Sequence, residues 1–287
     1  MSKDRATQAV DKAISELVNF DLVLVEGDSA PRSTYVQRHR HEYIRTVNDM
    51  LQFCPVGDGG AVRVLEIGSF FGVVCMALKF LGYNVTASDV PEYIDMPAQT
   101  TRYARHGILT KAIRLENYVL PFEDETFDAI IMCEVLEHLN FNPLPLLKEI
   151  NRIGRPQSVF YLSLPNGANV YNRKAVAIGR PIGRMVEDFF SQLDPRSSHI
   201  TNGHWREYTA PEVRAMLEPL GFKIAKQYYF SAGETQPPNT IRKKVARLVY
   251  ETIPSLKENQ TTIAVREKRT DLRFRIPATV HPTLTEL

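Results

Sequence analysis

The chain has 287 residues, a formal net charge of +2, and side chains that are 44% hydrophobic and 24% charged. This length allows one good core with an added cap and is too short for two full domains. The small net charge gives no general attraction to nucleic acid, and no apolar run reaches the roughly 18 residues of a membrane span. The polar N-terminus lacks a signal peptide, which predicts a cytoplasmic protein. Cys54, Cys75 and Cys133 lie far apart in apolar contexts, which predicts reduced thiols and not a disulfide framework or a zinc site.

Residues 1–58 are predicted to form a helical preface. Apolar residues recur at helical spacing over residues 6–20, a break follows at 27–31, and Ser33 is the expected N-cap of a second helix that reaches about Phe53. Five basic residues occupy this second helix: Arg38, His39, Arg40, His41 and Arg45. They allow two interpretations, a basic face that closes over an anionic ligand group or a solvated face whose opposite side packs on the core. The second is favoured.

Residues 62–89 have the pattern of a β-α-β unit. A β-branched run ends at Gly68, a second glycine follows at Gly72, and a helix over 73–81 leads to a strand that ends in Asp89. The glycines allow a ligand to approach the backbone closely, and the acid lies where such folds hold a ribose. Dinucleotide folds have the spacing G-x-G-x-x-G, whereas here Glu66 precedes only two glycines. A carboxylate at Glu66 would repel a pyrophosphate and attract an ammonium group.

The following segments continue the alternation of strands and polar strand ends. A third strand is predicted over 112–115, before Glu116 and a Leu-Pro-Phe loop, and an apolar fourth strand over 129–132. The fourth strand runs into Cys133-Glu134-Val135-Leu136-Glu137-His138, polar residues that belong in the ligand crevice of a parallel sheet. Glu134 and His138 would share one face if a helix has begun there, and His138 could equally serve to orient the loop. A helix over 144–152 and a fifth strand over 157–164 follow.

These motifs resemble those of class I S-adenosylmethionine-dependent methyltransferases, over roughly residues 60–230. The resemblance implies a three-layer α-β-α Rossmann-like sheet of about seven mostly parallel strands. It also implies S-adenosyl-L-methionine as the cofactor and S-adenosyl-L-homocysteine as the product. The methionine end would lie at the glycine turn, the ribose at Asp89, and the adenine near Glu116, where aspartate is commoner in the family. The implied cofactor-binding residues are Glu66, Gly68, Ser69, Gly72, Asp89, Val90, Glu116, Asn117, Cys133 and Glu134.

The substrate side is predicted in an insert over 165–208. A P-N-x-x-N…H-x-R-E-Y-T…G-F pattern from Pro165 to Phe222 resembles a methyltransferase subgroup associated with polysaccharide biosynthesis. It implies substrate contacts from Asn166, Arg206 and Tyr208, although the last two, with Glu207, could instead fix the insert to the sheet. A hydroxyl acceptor needs a base, and histidine titrates nearest neutrality, so His204 and then His138 are the candidate catalytic residues. No acidic cluster like those of metal-dependent sugar methyltransferases stands out, so no metal is predicted.

The C-terminal part completes the domain, which is expected to span residues 59–268. Thr209 and Glu212 form a capping box for a helix that ends at Gly221, and strands follow over 222–230 and 260–266. Between these strands, residues 239–253 form a basic amphipathic helix that either makes weak contact with a membrane surface or, as favoured, packs on its own domain. Residues 269–287 are predicted to be a tail.

The sequence therefore predicts a methyltransferase for a small-molecule or glycan acceptor, with no nucleic-acid partner. The first hypothesis is O-methylation of a sugar or glycan-intermediate hydroxyl. The alternatives are a methyltransferase for another small molecule, such as a quinone or secondary metabolite, and a non-catalytic module that binds S-adenosylmethionine.

Overall fold

The computed structural model describes residues 2–18, 32–57, 61–183, 186–187, 190, 203–231 and 240–274. The helices are α1 (Ser2–Val18), α2 (Arg32–Phe53), α3 (Val73–Phe80), α4 (Pro91–Ile94), α5 (Pro97–Arg105), α6 (Leu144–Ile153), α7 (Val170–Ala177), α8 (Ala210–Leu217) and α9 (Ile241–Thr252). The strands are β1 (Arg63–Ile67), β2 (Asn84–Asp89), β3 (Leu109–Ala112), β4 (Phe127–Cys133), β5 (Gly154–Pro165), β6 (Phe222–Phe230) and β7 (Asn259–Arg266). None of the helices in these ranges is long and apolar enough to cross a membrane.

The seven strands form one sheet in the order β3-β2-β1-β4-β5-β7-β6. Strands β1 to β5 pair in parallel, and β7 runs antiparallel between β5 and β6. The chain reverses its direction of winding between β1 and β4, and ligands of such sheets bind beyond the carboxyl ends of the strands at this point. The Rossmann-like fold expected from the sequence is confirmed.

Alternate residues of the central strands face two different cores, as expected of a sheet with helices on both faces. In β1, Val64 packs into the core beneath α1, α2 and α3, while Leu65 and Ile67 pack into the core beneath α6 and α8. In β4, Ile131 faces the first core and Ile130 faces the second. Because both cores extend to the strand ends, the crevice at those ends lies directly on packed side chains.

The N-terminal helices share the first core with the sheet. Val10 of α1 and Val47 of α2 are fully buried there. The carboxylate of Asp49 on α2 binds Lys226 Nζ on β6 at 3.1 Å and also accepts a hydrogen bond from the Tyr228 hydroxyl. These contacts fix α2 across the sheet, beside the carboxyl ends of the strands.

Several boundaries differ from those predicted. The third strand lies at Leu109–Ala112 and not at 112–115, because β3 pairs Ala112 with Asp89 and so ends level with β2. Helix α2 begins at Arg32, one residue before the predicted N-cap. The predicted break at 27–31 and much of the insert between 184 and 202 lie outside the described residues. The start of the predicted tail packs on α6, where Thr270 N donates to Asn151 Oδ1 at 3.2 Å.

Candidate functional site

A cavity of about 710 Å³ lies beyond the carboxyl ends of β1, β2 and β4. This volume falls within the roughly 300–1,000 Å³ of small-molecule sites. The wall includes most of the predicted cofactor residues and both predicted catalytic histidines, listed here in chain order: Glu66, Gly68, Ser69, Gly72, Asp89, Val90, Glu116, Cys133, Glu134, His138 and His204. The strand ends and the returning insert thus bring together residues that are up to 138 positions apart in the chain.

The turn after β1 requires both of its glycines. Gly68 and Gly72 have φ angles of 75° and 66°, a region that L side chains rarely adopt. A Cβ atom at Gly68 would overlap the Val135 side chain, and one at Gly72 would overlap the Tyr103 hydroxyl. Between them, Phe70 has a φ of 43° without being glycine, an arrangement that costs about 1–3 kcal/mol. The turn is therefore held close to its neighbours, and its backbone forms the floor of the cavity.

Asp89 is oriented by the backbone of this turn. Phe70 N donates to Asp89 Oδ2 at 2.7 Å, and Val90 N donates to Oδ1 at 2.8 Å. Each carboxylate oxygen has a further lone pair, which leaves both able to accept a hydroxyl from a ligand. Burial raises the pKa of Asp89 to about 6, against the opposing effect of the two amide donors. The side chain is a fixed, ionised double acceptor at neutral pH.

Glu66 lies deeper, at the end of β1. The side chain is 5% exposed, and its Oε2 atom accepts no hydrogen bond from any residue that the structure describes. Burial raises the pKa of Glu66 to about 8, although a hydrogen bond with Cys75 acts in the opposite direction. An unsatisfied buried carboxylate oxygen costs about 1–3 kcal/mol or more, and an ammonium group near it would supply the missing donor and charge.

The far end of the cavity holds Glu116, on the 3₁₀ turn Leu115–Asn117. Its side chain is half-exposed, 4.0 Å from Arg114, and lines the wall, whereas Asn117 does not reach the cavity. Cys133 lines the wall beneath α2, and burial raises the pKa of its thiol well above the usual range, so it stays neutral. Of the predicted Glu116–Asn117 pair, the structure therefore places Glu116 on the wall of the cavity and Asn117 outside it.

The opposite end of the cavity is formed by Glu137, His138 and His204. Residues Leu136–His138 form a 3₁₀ turn and not the start of an α-helix, so Glu134 and His138 do not share a helical face. Trp205 N donates to the Glu137 carbonyl at 2.8 Å, which ties the returning insert to this turn. The rings of His138 and His204 meet edge to face with centroids 5.0 Å apart.

Each of these imidazoles has an acceptor at Nδ1. His138 Nδ1 donates to the Gly203 carbonyl at 3.0 Å, and His204 Nδ1 donates to Glu207 Oε1 at 3.0 Å. Asn172 Nδ2 holds the second oxygen of Glu207 at 2.7 Å. Because a carbonyl and an ionised carboxylate only accept, these contacts place the proton on Nδ1, and in the neutral ring the lone pair is then on Nε2.

Glu137 is fully buried behind the histidines. No described residue donates a hydrogen bond to either of its carboxylate oxygens, and the Glu134 carboxyl is a close neighbour. Burial raises the pKa of Glu137 to about 8. In the sequence, Glu137 belongs to the polar run that follows the fourth strand and was assigned no role of its own, since a glutamate on a short turn is usually solvated.

Helix α2 supplies a wall of the cavity, a position that only the less favoured interpretation of its basic residues allowed. The residues concerned are Tyr35, His39, Glu42, Tyr43 and Thr46. Of the five basic residues from Arg38 to Arg45, His39 alone lines the cavity, where its Nδ1 pairs with Glu42 Oε2 at 2.8 Å. Arg40 pairs with Asp11, and the Arg45 guanidinium lies over the Phe230 ring at 3.7 Å. The favoured interpretation, a solvated face whose opposite side packs on the core, was therefore incomplete, because one side of the helix lines the cavity.

The three predicted substrate residues do not reach the cavity. Asn166 is fully buried and donates from Nδ2 to two backbone carbonyls, at 2.9 and 2.8 Å. Arg206 is 62% exposed and pairs with Glu212 at 2.8 Å. Tyr208 is buried, and the Arg206 guanidinium lies over the Tyr208 ring, 5.0 Å from the ring centroid. The structure places them as anchors of the insert, which was the alternative interpretation for Arg206 and Tyr208.

Comparison with known proteins matches the central part of the chain to a methyltransferase family. Residues 65–162 match the family described as "Methyltransferase domain". The matched range begins in β1 and ends in β5, so it contains the glycine turn, Asp89, Glu116 and the Glu137–His138 turn. A search of curated proteins finds no match.

Solved structures show the same fold at low sequence identity. A chain of the complex between the Haloferax volcanii Trm112 methyltransferase activator and its putative methyltransferase is 17% identical, with 81% of this chain and 93% of that chain covered and a TM-score of 0.55. An S-adenosylmethionine-dependent methyltransferase from Mesorhizobium loti is 17% identical, with 80% and 98% covered and a TM-score of 0.52. The cyclase SpnF is 13% identical, with 91% and 93% covered and a TM-score of 0.52.

The domain match and the fold support an S-adenosylmethionine-dependent methyltransferase, and they imply S-adenosyl-L-methionine as the cofactor. The residues present fit that molecule. The unsatisfied Glu66 oxygen suits its ammonium group, the Asp89 carboxylate suits two ribose hydroxyls, and Glu116 suits an adenine amino group. At Gly68 and Gly72 the turn presents backbone without a side chain to the cavity.

Proposed function

We propose that this protein transfers the methyl group of S-adenosylmethionine to a hydroxyl group of a sugar or glycan intermediate. The observation that carries the proposal is the position of Glu66, Asp89 and Glu116 at successive strand ends around one cavity, in the order that the cofactor's ammonium, ribose and adenine require. When bound, the sulfonium supplies the methyl group by in-line displacement, in which the S–C bond breaks as the O–C bond forms.

The residues of this chain bind and orient the two reactants. Holding them at attack distance contributes roughly 7–11 kcal/mol to lowering such barriers. Glu66 and Asp89 fix the cofactor, and the acceptor's hydroxyl lies at the end of the cavity formed by Glu137, His138 and His204. The hydroxyl must lose its proton at this end of the cavity, and a histidine Nε2 lone pair can assist that loss in two ways. Direct proton removal by His204, oriented by Glu207, is one use of such a lone pair, and metal ligation is the other.

Calorimetry with S-adenosylhomocysteine tests the cofactor part of the proposal. We expect one molecule to bind per chain, and a folded protein without binding would contradict the proposal. A screen of sugar and glycan intermediates by mass spectrometry, looking for the gain of one methyl group, tests the acceptor part. Methylation of quinones or other small molecules instead would retain the enzyme class and change the substrate.

We also propose that the protein binds an anionic membrane surface through helices α7 and α9 and the segment after α7, and that it encounters its acceptor there. Eleven of the fourteen large apolar side chains that are exposed among the described residues lie in this surface. They are Tyr171, Val176, Ile178, Ile182, Val186, Phe190, Ile241, Val245, Leu248, Val249 and Ile253. Residues 170–190 and 240–253 also include eight basic and three acidic residues. Their net charge is therefore +5, whereas the net charge of the whole chain is +2. Apolar and basic side chains together suit the interface of an anionic bilayer.

The two helices form one surface that is linked to the site. The hydroxyls of Tyr171 and Tyr250 interact, and Arg173 Nη2 donates to Ser255 Oγ at 3.0 Å. Asn172 on α7 also holds Glu207, the partner of His204. We expect the protein to sediment with vesicles that contain phosphatidylglycerol and the double variant Val245→Glu/Leu248→Glu to remain in solution. Leu109→Glu is the control, since Leu109 is 65% exposed on β3 at the other edge of the sheet. Equal sedimentation of both variants would refute this contact.

A further inference from the structure

One group of histidine and acidic side chains among the described residues has the composition and spacing of a metal site. Glu137, His138 and His204 each offer one ligand atom, and these three atoms lie within 4.8 Å of one another. All three residues line the cavity on the acceptor's side. Two imidazoles and a carboxylate on one side of an ion are a ligand set of first-row transition metals.

The surroundings of the two histidines are those of metal ligands. Histidines that bind a metal through one ring nitrogen almost always donate the other N–H to a carboxylate or a backbone carbonyl. Here His204 Nδ1 donates to the Glu207 carboxylate, and His138 Nδ1 donates to the Gly203 carbonyl, both at 3.0 Å. Asn172 in turn holds Glu207 at 2.7 Å. These contacts select the ring form whose lone pair is on Nε2 and restrict the ring's orientation.

The carboxylate provides a second, independent observation. Glu137 has no exposed surface, and neither of its oxygens accepts a hydrogen bond from the part of the chain that the structure describes. The Glu134 carboxyl is adjacent and projects into the cavity. Two neighbouring buried carboxyl groups can carry negative charge only where a cation balances it, because an unpaired buried charge is costly. A divalent cation held by Glu137 would compensate that charge and satisfy the unpaired oxygens.

We propose that Glu137, His138 and His204 bind a divalent first-row transition-metal ion, with Glu134 beside the site as a further carboxylate. Its role rests on the function proposed above. The ion's remaining coordination positions face the cavity, where the acceptor's hydroxyl would bind as an oxygen ligand. Coordination lowers the pKa of that hydroxyl, so its proton leaves to water before the oxygen attacks the methyl group. No electron is gained or lost by the ion. His204 and His138 are then ligands and not bases, and the sequence did not predict this ion because only one of its three ligands is acidic.

Cobalt(II) titration of the full chain, after removal of metals with a chelator, tests the site directly. Bound cobalt(II) has visible absorption bands that report coordination by imidazole, and their growth gives stoichiometry and affinity without an activity assay. We expect one ion per chain and displacement of cobalt(II) by zinc(II). His204→Ala and Glu137→Gln should each weaken binding by at least 100-fold. Glu207→Gln removes only the carboxylate that accepts the His204 Nδ1 proton, and it should weaken cobalt(II) binding by about 10–100-fold.

His106→Ala is the matched control. His106 Nε2 also pairs with a carboxylate, Glu16 at 2.6 Å, but this histidine does not line the cavity. Its replacement should leave cobalt(II) binding unchanged. S-adenosylhomocysteine binding, measured on every variant, verifies that each is folded, and Glu207→Gln remains informative if a ligand variant does not fold.

The outcomes separate this proposal from the proposed function. Two results would overturn the metal site and leave methyl transfer intact. The first is binding of S-adenosylhomocysteine without binding of cobalt(II), and the second is equal binding of cobalt(II) by His204→Ala and His106→Ala. A protein that binds cobalt(II) as expected but no S-adenosylhomocysteine keeps the metal site and overturns the methyltransferase function.

Discussion

Replacement of Asp89 gives the most quantitative test of the cofactor site. Its two carboxylate oxygens each accept one backbone N–H, from Phe70 at 2.7 Å and Val90 at 2.8 Å, and each retains a lone pair for one ribose hydroxyl. A hydrogen bond to a charged group contributes about 1.5–3 kcal/mol, so loss of two such bonds removes about 3 kcal/mol or more. At about 1.4 kcal/mol per factor of ten, Asp89→Ala should weaken S-adenosylhomocysteine binding by at least tenfold, and by about 150-fold if both bonds form.

The assay is isothermal calorimetry, with Asp95→Ala as the matched control. Asp95 is an exposed aspartate six positions further along the chain, and it does not line the cavity. Its replacement should leave the affinity unchanged. Unfolding curves of both variants verify that the fold is retained. An unchanged affinity in a folded Asp89→Ala protein would refute the ribose contact and, with it, the assignment of the cofactor's orientation.

Three further predictions concern residues with distinct roles. Because burial raises the pKa of Glu66 from 4.5 to about 8, the folded state binds the extra proton, and in the ligand-free protein Glu66 contributes a loss of about 1.4 kcal/mol of unfolding free energy per pH unit between about pH 5.5 and 7.5. In urea titrations the slope of Glu66→Gln should be smaller than that of wild type by this amount, since Glu137 contributes to both, and equal slopes would contradict the pKa of Glu66. Gly68→Ala forces a Cβ onto Val135 and should weaken S-adenosylhomocysteine binding, whereas Gly179→Ala, with a similar φ of 70° and no atom within 4 Å, should leave it unchanged. Asn166→Ala removes three side-chain hydrogen bonds and should lower stability by about 1–3 kcal/mol while the acceptor's KM stays constant. A raised KM at full stability would restore Asn166 as a substrate residue.

The sequence predicted the parts of the site that follow from local pattern. Gly68, Gly72 and Asp89 belong to one continuous β-α-β unit, in which strand length and glycine spacing determine where the turn and the acid lie. The strand end at Cys133 was likewise predictable, because an apolar run changes abruptly to polar residues there. Parallel pairing then brings these strand ends to the same edge of the sheet, which explains why most of the residues predicted for the cofactor half line one cavity.

The parts that the sequence missed depend on long-range docking. Helix α2 lines the cavity with His39 and Glu42 because the preface packs on α3 and is tied to β6, contacts that no local pattern encodes. A polar residue such as Asn166 has the same appearance in sequence whether it bonds to backbone or to substrate. Glu137 belonged to the predicted polar run without a role of its own, since its neighbourhood forms only when the insert returns and Trp205 N donates to the Glu137 carbonyl.

Transfer of a labelled methyl group tests the central claim most directly. The protein is incubated with S-adenosylmethionine that carries a trideuterated methyl group, together with a panel of sugar and glycan intermediates, and the products are analysed by mass spectrometry. We expect the label on a hydroxyl oxygen of one acceptor class, and loss of the labelled product in Asp89→Ala. Binding of S-adenosylmethionine without label in any product would show that the chain is a binding module and would contradict the proposed methyl transfer.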